Sequence, residues 1–455
     1  MVDAIVVGAG LSGLSCAERL VAAGLDVRVL EARDEPGGNV RTLVRDGYRM
    51  ERGPHTFMAS ADDVFAFVEE VSAAHALVGA RAAAAVRFIA RHGRLHPLFT
   101  GPLSFARSRL LGTRGKLALM SEPLRTRRGE PGDTAMAFFE RRFGPEAARV
   151  LAGSFVSGIY AGDPERLSAP AAFPLFWHFE QRHGGMIRGG ARHALARRRR
   201  EGRRRGGVRR RGLFSLRGGL GTLTRAAGDL LGARLECDAP VRGVSRSGRR
   251  WTVEAGGRTY EAGQLVVAVP PGAAAGLLAD VDAFLARELE EVVLAPLAVV
   301  HAGFARRAPR IPDAFGFLVP REESIRTLGV LFPSRMFDDR APGDGDLLTG
   351  FVGGRKDPGA LDLDDAGLRS VVLGDVRRLT GLEAEPDMVQ VLRYERAIPQ
   401  LELGHLERMD RVRAMVGRLP GLRLAGNYLG GVGMKDAVAS GFEAAAHIVE
   451  QRTGR

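Results

Sequence analysis

Four apolar residues in succession, Ala4-Ile5-Val6-Val7, open the chain. The run is too short for a helix and fits a strand buried on both faces. Ser12 to Ala23 repeat apolar residues at helical spacing, and Gly24 stops the pattern. Val27 to Leu30 form a second short apolar run that closes on Glu31. The far end repeats the theme: Leu422 to Ala425 predict a strand, a glycine-rich loop follows, and about Met434 to Glu450 predict a helix. Between the ends, Gln264 to Pro271 (QLVVAVPP) predict another buried strand. PLAVVHAGF, LLTGFVGG and MVQVLRYERAIPQ predict strands of a second sheet, and AVRFIARHGRLHPL predicts a hairpin. ADDVFAFVEEVSAA predicts a helix capped by Ser60 and Asp63, and GDTAMAFFERRFGPEAARVLAGSFVSGIY predicts two more. Pro97 to Leu124 are apolar and helix-compatible, threaded with Arg and Lys but almost no acid. That suits an interfacial surface or a core-facing helical pair.

The first strand–helix junction carries chemistry. Gly8, Gly10 and Gly13 stand as GxGxxG, with Ala9, Leu11 and Ser12 completing the turn. Gly8 permits the tight turn, Gly10 lets backbone approach a pyrophosphate, and Gly13 lets helix pack on strand. The helix N-terminus offers partial positive charge to the phosphates. Glu31, next to Ala32, is placed to accept the ribose hydroxyls of an adenosine half.

Composition changes this picture little. The 455 residues carry a net charge of +13. ARRRREGRRRGGVRRRG (196–212) supplies ten arginines and one glutamate, so the basic character is local. Its glycines and self-repulsion predict disorder. It reads as an elaboration of an inserted domain, inert or in contact with anionic lipid. It has no interleaved aromatics, which counts against a nucleic-acid partner. Of 66 basic residues only Lys116, Lys356 and Lys435 are lysine, a compositional bias rather than a binding signal. Cys16 and Cys237 make neither a disulfide framework nor a metal site, and His92 and His96 lie in a predicted hairpin without a third ligand nearby. No metal is expected. No apolar run of about 18 residues is present to span a bilayer. The absence of a signal-like start predicts the cytoplasm or its membrane face.

Further motifs bring in a resemblance. EARDEPGGNVRT, with Gly37-Gly38 and then Asn39 and Arg41, resembles the extended fingerprint of the flavoproteins that include amine oxidases, phytoene desaturases and protoporphyrinogen oxidases. The resemblance implies FAD, with ERGPHTF (Gly53, Pro54, His55, Thr56) turning near the flavin. The loop of Gly426, Gly430, Gly431, Val432, Gly433 and Met434 would set a helix N-terminus beside the flavin pyrimidine ring, where reduction builds negative charge. First and last segments then build one site, and everything between is inserted into one fold.

GIYAGDPERLS, FPLFW, SLRGGLGTL, FGFLVP, IPQLELGHLERM and GNYLGGVGMKDAVASG resemble the protoporphyrinogen oxidase family in order and spacing, from about residue 3 to 449. The resemblance implies an α/β fold of mixed α+β character. A discontinuous Rossmann-like FAD-binding domain (1–60, 213–280, 405–455) would be joined by an inserted mixed-sheet substrate domain (61–96, 281–404) and an inserted helical membrane-binding domain (97–212). It implies noncovalent FAD, with Val241 among its contacts, and the six-electron oxidation of a porphyrinogen. Dioxygen reoxidises the flavin and gives hydrogen peroxide. The implied location is peripheral, on the inner face of the cell membrane. A homodimer is left open.

Arg87 matches the family's arginine that meets a substrate propionate. Leu318, Leu331 and Phe351 match residues around the ring, and Gly158 and Ala161 leave room beside it. No general base is assigned, because the flavin is the oxidant, and His405 reads as structural. Leu401 stands where the family has an aromatic, and Lys435 places a cation at the start of the last helix. Coproporphyrinogen III oxidation in the same fold is the alternative activity. An amine oxidase or desaturase would share the end motifs but lack GIYAGD and IPQxxLGH.

Overall fold

A computed structural model describes residues 1–203 and 210–452. The chain divides into two compact units. One comprises Met1–Gly79, Gly212–Val293 and Leu406–Arg455, the other Ala80–Arg211 and Leu294–His405.

The first unit is Rossmann-like. The strand Val2–Val7 is central, parallel to Val27–Leu30 on one side and to Arg258–Val267 on the other. Leu422–Leu424 joins Arg258–Val267 in parallel, and Arg250–Ala255 and Val241–Ser247 extend the sheet antiparallel. Both faces are covered, which explains the unbroken apolar run. Ala4 and Val6 point into a core with the helices Leu11–Ala22, Asp62–Glu70, Gly221–Leu231 and Met434–Arg452. Ile5 and Val7 point into another with Pro271–Leu278, Ala283–Glu290 and Met409. Ile5, Val6 and Val7 each contribute about 1.5–3 kcal/mol by leaving water. Chain start and chain end meet at Gly441, where a Cβ would lie 2.2 Å from Ser15 Oγ and 2.3 Å from Ser12 O.

The second unit holds a mixed sheet. Leu294–Phe304 pairs antiparallel with Asp346–Gly353 and Met388–Pro399. The sheet continues through Thr327–Leu331 and Gly316–Leu318 to the hairpin Arg87–Arg91/Arg94–Pro97, which joins in parallel on Gly316–Leu318. The helix Asp365–Thr380 covers one face. Asp364 caps it by accepting Gly367 N at 2.7 Å, and Gly381 ends it in the left-handed region. The helices between Pro102 and Arg203 fall in the same unit as this sheet, so a separate helical domain is not resolved as its own compact body. They are tied together by the buried Arg142–Glu122 ion pair, with Arg142 Nε donating at 2.8 Å.

Several local expectations change. The helix starting at Asp62 has Ala61 as its N-cap, with no side-chain cap, so Ser60 and Asp63 do not form the capping pair. It ends at Glu70, because Ser72 turns to a positive φ of 58°. The stretch after Pro145 runs to Tyr160 with a π-helical segment, Ala148–Gly153, in its middle. The arginine tract expected to be disordered from 196 begins as helix, because Met186–Arg203 runs into it as far as Arg203; residues 204–209 of that tract lie outside the described residues. The apolar segment before Leu124 forms two short helices, Pro102–Arg107 and Thr113–Met120. No helix among the described residues is long and apolar enough to cross a membrane.

Candidate functional site

The dinucleotide cradle lies in the first unit. Gly8 takes a φ of +96°, and a Cβ there would meet Ala268 O and Val269 Cγ1, both at 2.8 Å. A Cβ on Gly13 would stand 1.9 Å from Gly8 O, so helix and strand touch through backbone. Gly10 is different: nothing lies within 4 Å of its missing side chain. It is the extended N-cap of the helix Leu11–Ala22 and has no side-chain cap, which leaves the helix's first N–H groups facing that open space. An anion such as a pyrophosphate fits there.

Glu31 is buried at the end of the second strand. Its Oε2 accepts Ala9 N at 2.7 Å and its Oε1 accepts Arg33 N at 3.0 Å, which places its carboxylate beside the glycine turn. Ala32 is exposed next to it. Gly37 N donates to Ala9 O at 2.7 Å, and Gly37 and Gly38 both hold positive φ, so this loop lies against the first turn. A Cβ on Gly38 would be 3.2 Å from Gly10 Cα. Arg41 is buried and paired with Glu35 at 2.8 Å; its carbonyl accepts Arg52 N at 2.9 Å. Gly53 approaches Asn39 so closely that a Cβ would meet Asn39 O at 2.5 Å. Pro54 and Thr56 are half-buried and His55 is buried. Asp238 N and Ala239 N donate to Arg33 O and Glu31 O, which leads the chain past Glu31 into Val241 at the head of its strand.

At the other end, Gly426 N donates to Ser440 Oγ at 3.0 Å and Asn427 Nδ2 to Val432 O at 3.1 Å. Val432 N and Gly433 N both donate to Asp436 Oδ2. Of the three loop amides expected at the cofactor, Met434 N alone is left uncommitted by this arrangement. Lys435 is mostly exposed and lies 3.2 Å from Asp436 Oδ1.

The second unit gathers the other candidates. Arg87, Gly316, Leu331, Thr349 and His301 stand side by side across five strands. Two residues further along each strand, Ile89, Leu318, Gly329, Phe351 and Val299 form the next row on the same face. Arg87, Leu318, Leu331 and Phe351 thus share one face, although they are far apart in sequence. The Arg87 guanidinium lies 5.0 Å from the Phe315 ring centroid, and no carboxylate pairs with it among the described residues. Leu318, Leu331 and Phe351 are half-buried. Gly158 leaves its room to Leu318: a Cβ would be 2.3 Å from Leu318 Cδ2. Ala161 is buried in the left-handed region at a φ of 46°, with its carbonyl held by Arg355 N at 2.7 Å. Gln400 Nε2 donates to Tyr160 O at 2.7 Å, which ties the IPQ segment to GIYAGD. Leu401 is buried, as is His405.

The sequence reading missed three residues that hold these loops. Buried Glu51 accepts Leu220 N and the Thr42 hydroxyl, both at 2.8 Å, and so fastens SLRGGLGTL to the cofactor loop. Ser440 and Asp436 do the same at the far end. Asp436 was legible as an acid in the first helical turn. Glu51 had no signal, because Leu220, the loop partner it fastens, is 169 positions away.

Residues 11–449 match the family of flavin-containing amine oxidoreductases. The mitochondrial protoporphyrinogen oxidase of Nicotiana tabacum is 32% identical, covering 98% of this chain and 94% of that protein. A coproporphyrinogen III oxidase of Bacillus subtilis is 28% identical, with 96% of each covered. A crystal structure from Exiguobacterium sp., whose protein is assigned as a protoporphyrinogen oxidase, superposes with a TM-score of 0.83 at 26% identity, covering 99% of both chains. The chain belongs to the flavin-containing amine oxidoreductases and, within them, to the protoporphyrinogen oxidases.

Proposed function

We propose that this protoporphyrinogen oxidase takes six electrons from protoporphyrinogen IX to give protoporphyrin IX, with FAD as its noncovalent cofactor and dioxygen as the final acceptor. The observation that carries the substrate reading is the sheet face of Leu318, Leu331 and Phe351 with Arg87 in its row, a cation that no carboxylate pairs among the described residues. A porphyrinogen is a broad apolar ring with propionate arms, and such a surface with one cation suits it. The planar guanidinium can hold a carboxylate by two contacts.

When bound, FAD would supply two-electron acceptor chemistry, with dioxygen as the final acceptor and hydrogen peroxide as its reduced product. The chain's own residues bind and orient. Gly10 and the helix N-terminus behind it would receive the pyrophosphate, Glu31 would accept the ribose hydroxyls, and the final helix would direct its dipole at the pyrimidine end. Ala9, Leu11, Ser12, Gly38, Asn39, Arg41, Gly53 to Thr56, Val241, Gly426 and Val432 to Met434 complete that contact set. Gly158 and Ala161 shape the substrate face through Leu318 and the backbone at Arg355.

Coproporphyrinogen III is the second substrate to test, because a relative that oxidises it covers nearly the whole chain. A single anchoring arginine favours the porphyrinogen with fewer propionates. Anaerobic mixing with each porphyrinogen decides. Protoporphyrinogen is expected to bleach the flavin faster, whereas faster bleaching by coproporphyrinogen reverses the assignment.

Peripheral membrane contact belongs to the same proposal. Leu103, Leu117, Met120 and Leu124 are 64%, 61%, 65% and 78% exposed, in a segment that also carries Arg107, Arg114 and Lys116. Apolar side chains with flanking cations and few acids suit the headgroup boundary on the cytoplasmic side. Residues 97–212 would then act as the membrane-facing part; the substrate part begins at Ala80 and Leu294 rather than at 61 and 281, because the helices Asp62–Glu70 and Ala283–Glu290 pack into the cofactor unit.

A further inference from the structure

The last helix, Met434–Arg452, makes its first intrahelical bond from Ala437 N to Gly433 O at 3.1 Å. The N–H groups of Met434, Lys435 and Asp436 stand ahead of that bond and have no acceptor four residues back within the helix. The two preceding amides are occupied. Val432 N and Gly433 N donate to Asp436 Oδ2 at 3.1 and 2.9 Å, one half of a capping box. The other half needs an N-cap side chain, and Gly433 has none. Gly431 admits the carboxylate, since a Cβ there would stand 2.2 Å from Asp436 Cγ. Asn427 and Ser440 close the rest of the loop.

The charge arrangement has a consequence for the cofactor. A helix N-terminus carries about half a positive charge, and Asp436 sets a full negative charge in its first turn. Lys435 answers it, with Nζ 3.2 Å from Asp436 Oδ1 and a side chain 65% exposed.

We propose that Asp436 and Lys435 form an electrostatic tuning pair for the flavin. Asp436 pins the loop and offsets the helix dipole; Lys435 restores part of the positive field. The inference rests on the reading that FAD lies with its pyrimidine end at this helix. Both are positioning residues, since they act through the loop and the field rather than on reacting atoms. Reduction builds negative charge at the pyrimidine end, so removing the carboxylate charge makes the flavin easier to reduce. Removing the ammonium makes it harder.

The test uses Asp436→Asn and Lys435→Gln in the full-length holoprotein. Asparagine keeps an acceptor oxygen for the two amides and removes the charge. The flavin midpoint potential, measured against reference dyes, is expected to rise in Asp436→Asn and fall in Lys435→Gln. The dissociation constant for sulfite, which adds to oxidised flavin and leaves negative charge on the ring, should fall and rise in step, by about three- to tenfold at low salt. If both variants keep their flavin and match the parent in potential and sulfite affinity, the inference is overturned while the cofactor reading stands. A parent protein that folds but carries no flavin overturns the cofactor reading instead. Should Asp436→Asn lose its flavin, Lys435→Gln decides alone, because an exposed side chain can be changed without loosening the loop, and an unchanged potential there overturns the pair.

Discussion

The cofactor cradle is made largely of missing side chains. Gly8 and Gly13 let backbones come within contact, and Gly10 leaves space for a ligand. The face around Arg87 depends on side chains, brought into two rows by the register of five strands. The first is a local device: a few consecutive residues carry most of it, and each has a conformational reason to be what it is. The second is a global device, in which a residue has a role only because a strand far away in sequence sits beside it. Each is therefore broken in its own way. A cradle fails through backbone overlap, and a face fails through one displaced side chain.

The largest effect is expected from Gly13→Ala. Its Cβ would overlap Gly8 O, which cannot step aside, at a cost of about 3 kcal/mol or more. Thermal unfolding should show a strongly destabilised protein without flavin. Gly10→Val separates packing from binding, because its side chain enters open space. It should fold with a melting temperature near that of the parent apoprotein and carry no flavin. Full flavin content in Gly10→Val contradicts the cradle as described.

Gly158→Ala strikes the face instead. The new methyl pushes on Leu318, a flexible side chain, so stability should fall by about 1–3 kcal/mol. Flavin content should stay at the parental level, while kcat/KM for the porphyrinogen drops about tenfold or more through misplacement of the ring. A loss of flavin with retained turnover would break the comparison.

The smallest effect lies under the cradle. Burial, followed by the neighbouring Glu70 carboxyl, raises the pKa of Glu18 from 4.5 to about 7, against the opposing influence of Arg19. The folded protein keeps a proton there that the unfolded chain releases. This contribution is therefore complete below about 4.5 and is lost as pH rises through about 7. Melting temperatures of the parent should decline between pH 5 and pH 8 more steeply than those of Glu18→Gln. Parallel curves would remove Glu18 from the account.

Most of the first unit was legible. Ala4 to Val7, the GxGxxG turn and Glu31 combine local propensity with a ligand requirement, so periodicity and glycine spacing locate them without help. The motifs carrying the family resemblance named Arg87, Leu318, Leu331 and Phe351, but no pattern in the chain puts them in adjacent rows of one sheet. The parallel pairing of Gly316–Leu318 with Arg87–Phe88–Ile89 is set by tertiary packing. Helix details were least legible. The π-helical turn at Ala148–Gly153 and the uncapped start at Asp62 follow from neighbours rather than from propensity. In the arginine tract, composition pointed to disorder, yet the helix begun at Met186 extends to Arg203. Glu122, which accepts Met186 N at 2.7 Å and Ile187 N at 3.2 Å, anchors its first turn from 64 positions away.

If cofactor and substrate are held by separable devices, Arg87 acts on substrate alone. Anaerobic stopped-flow reduction of the bound flavin by protoporphyrinogen IX, in the parent and in Arg87→Ala, tests it most directly. Flavin content should be equal in both, and the half-saturating concentration about ten- to a hundredfold higher in the variant. That corresponds to about 1.5–3 kcal/mol for one lost charge-assisted hydrogen bond. The same concentration dependence in both proteins, or loss of flavin from the variant, would contradict it.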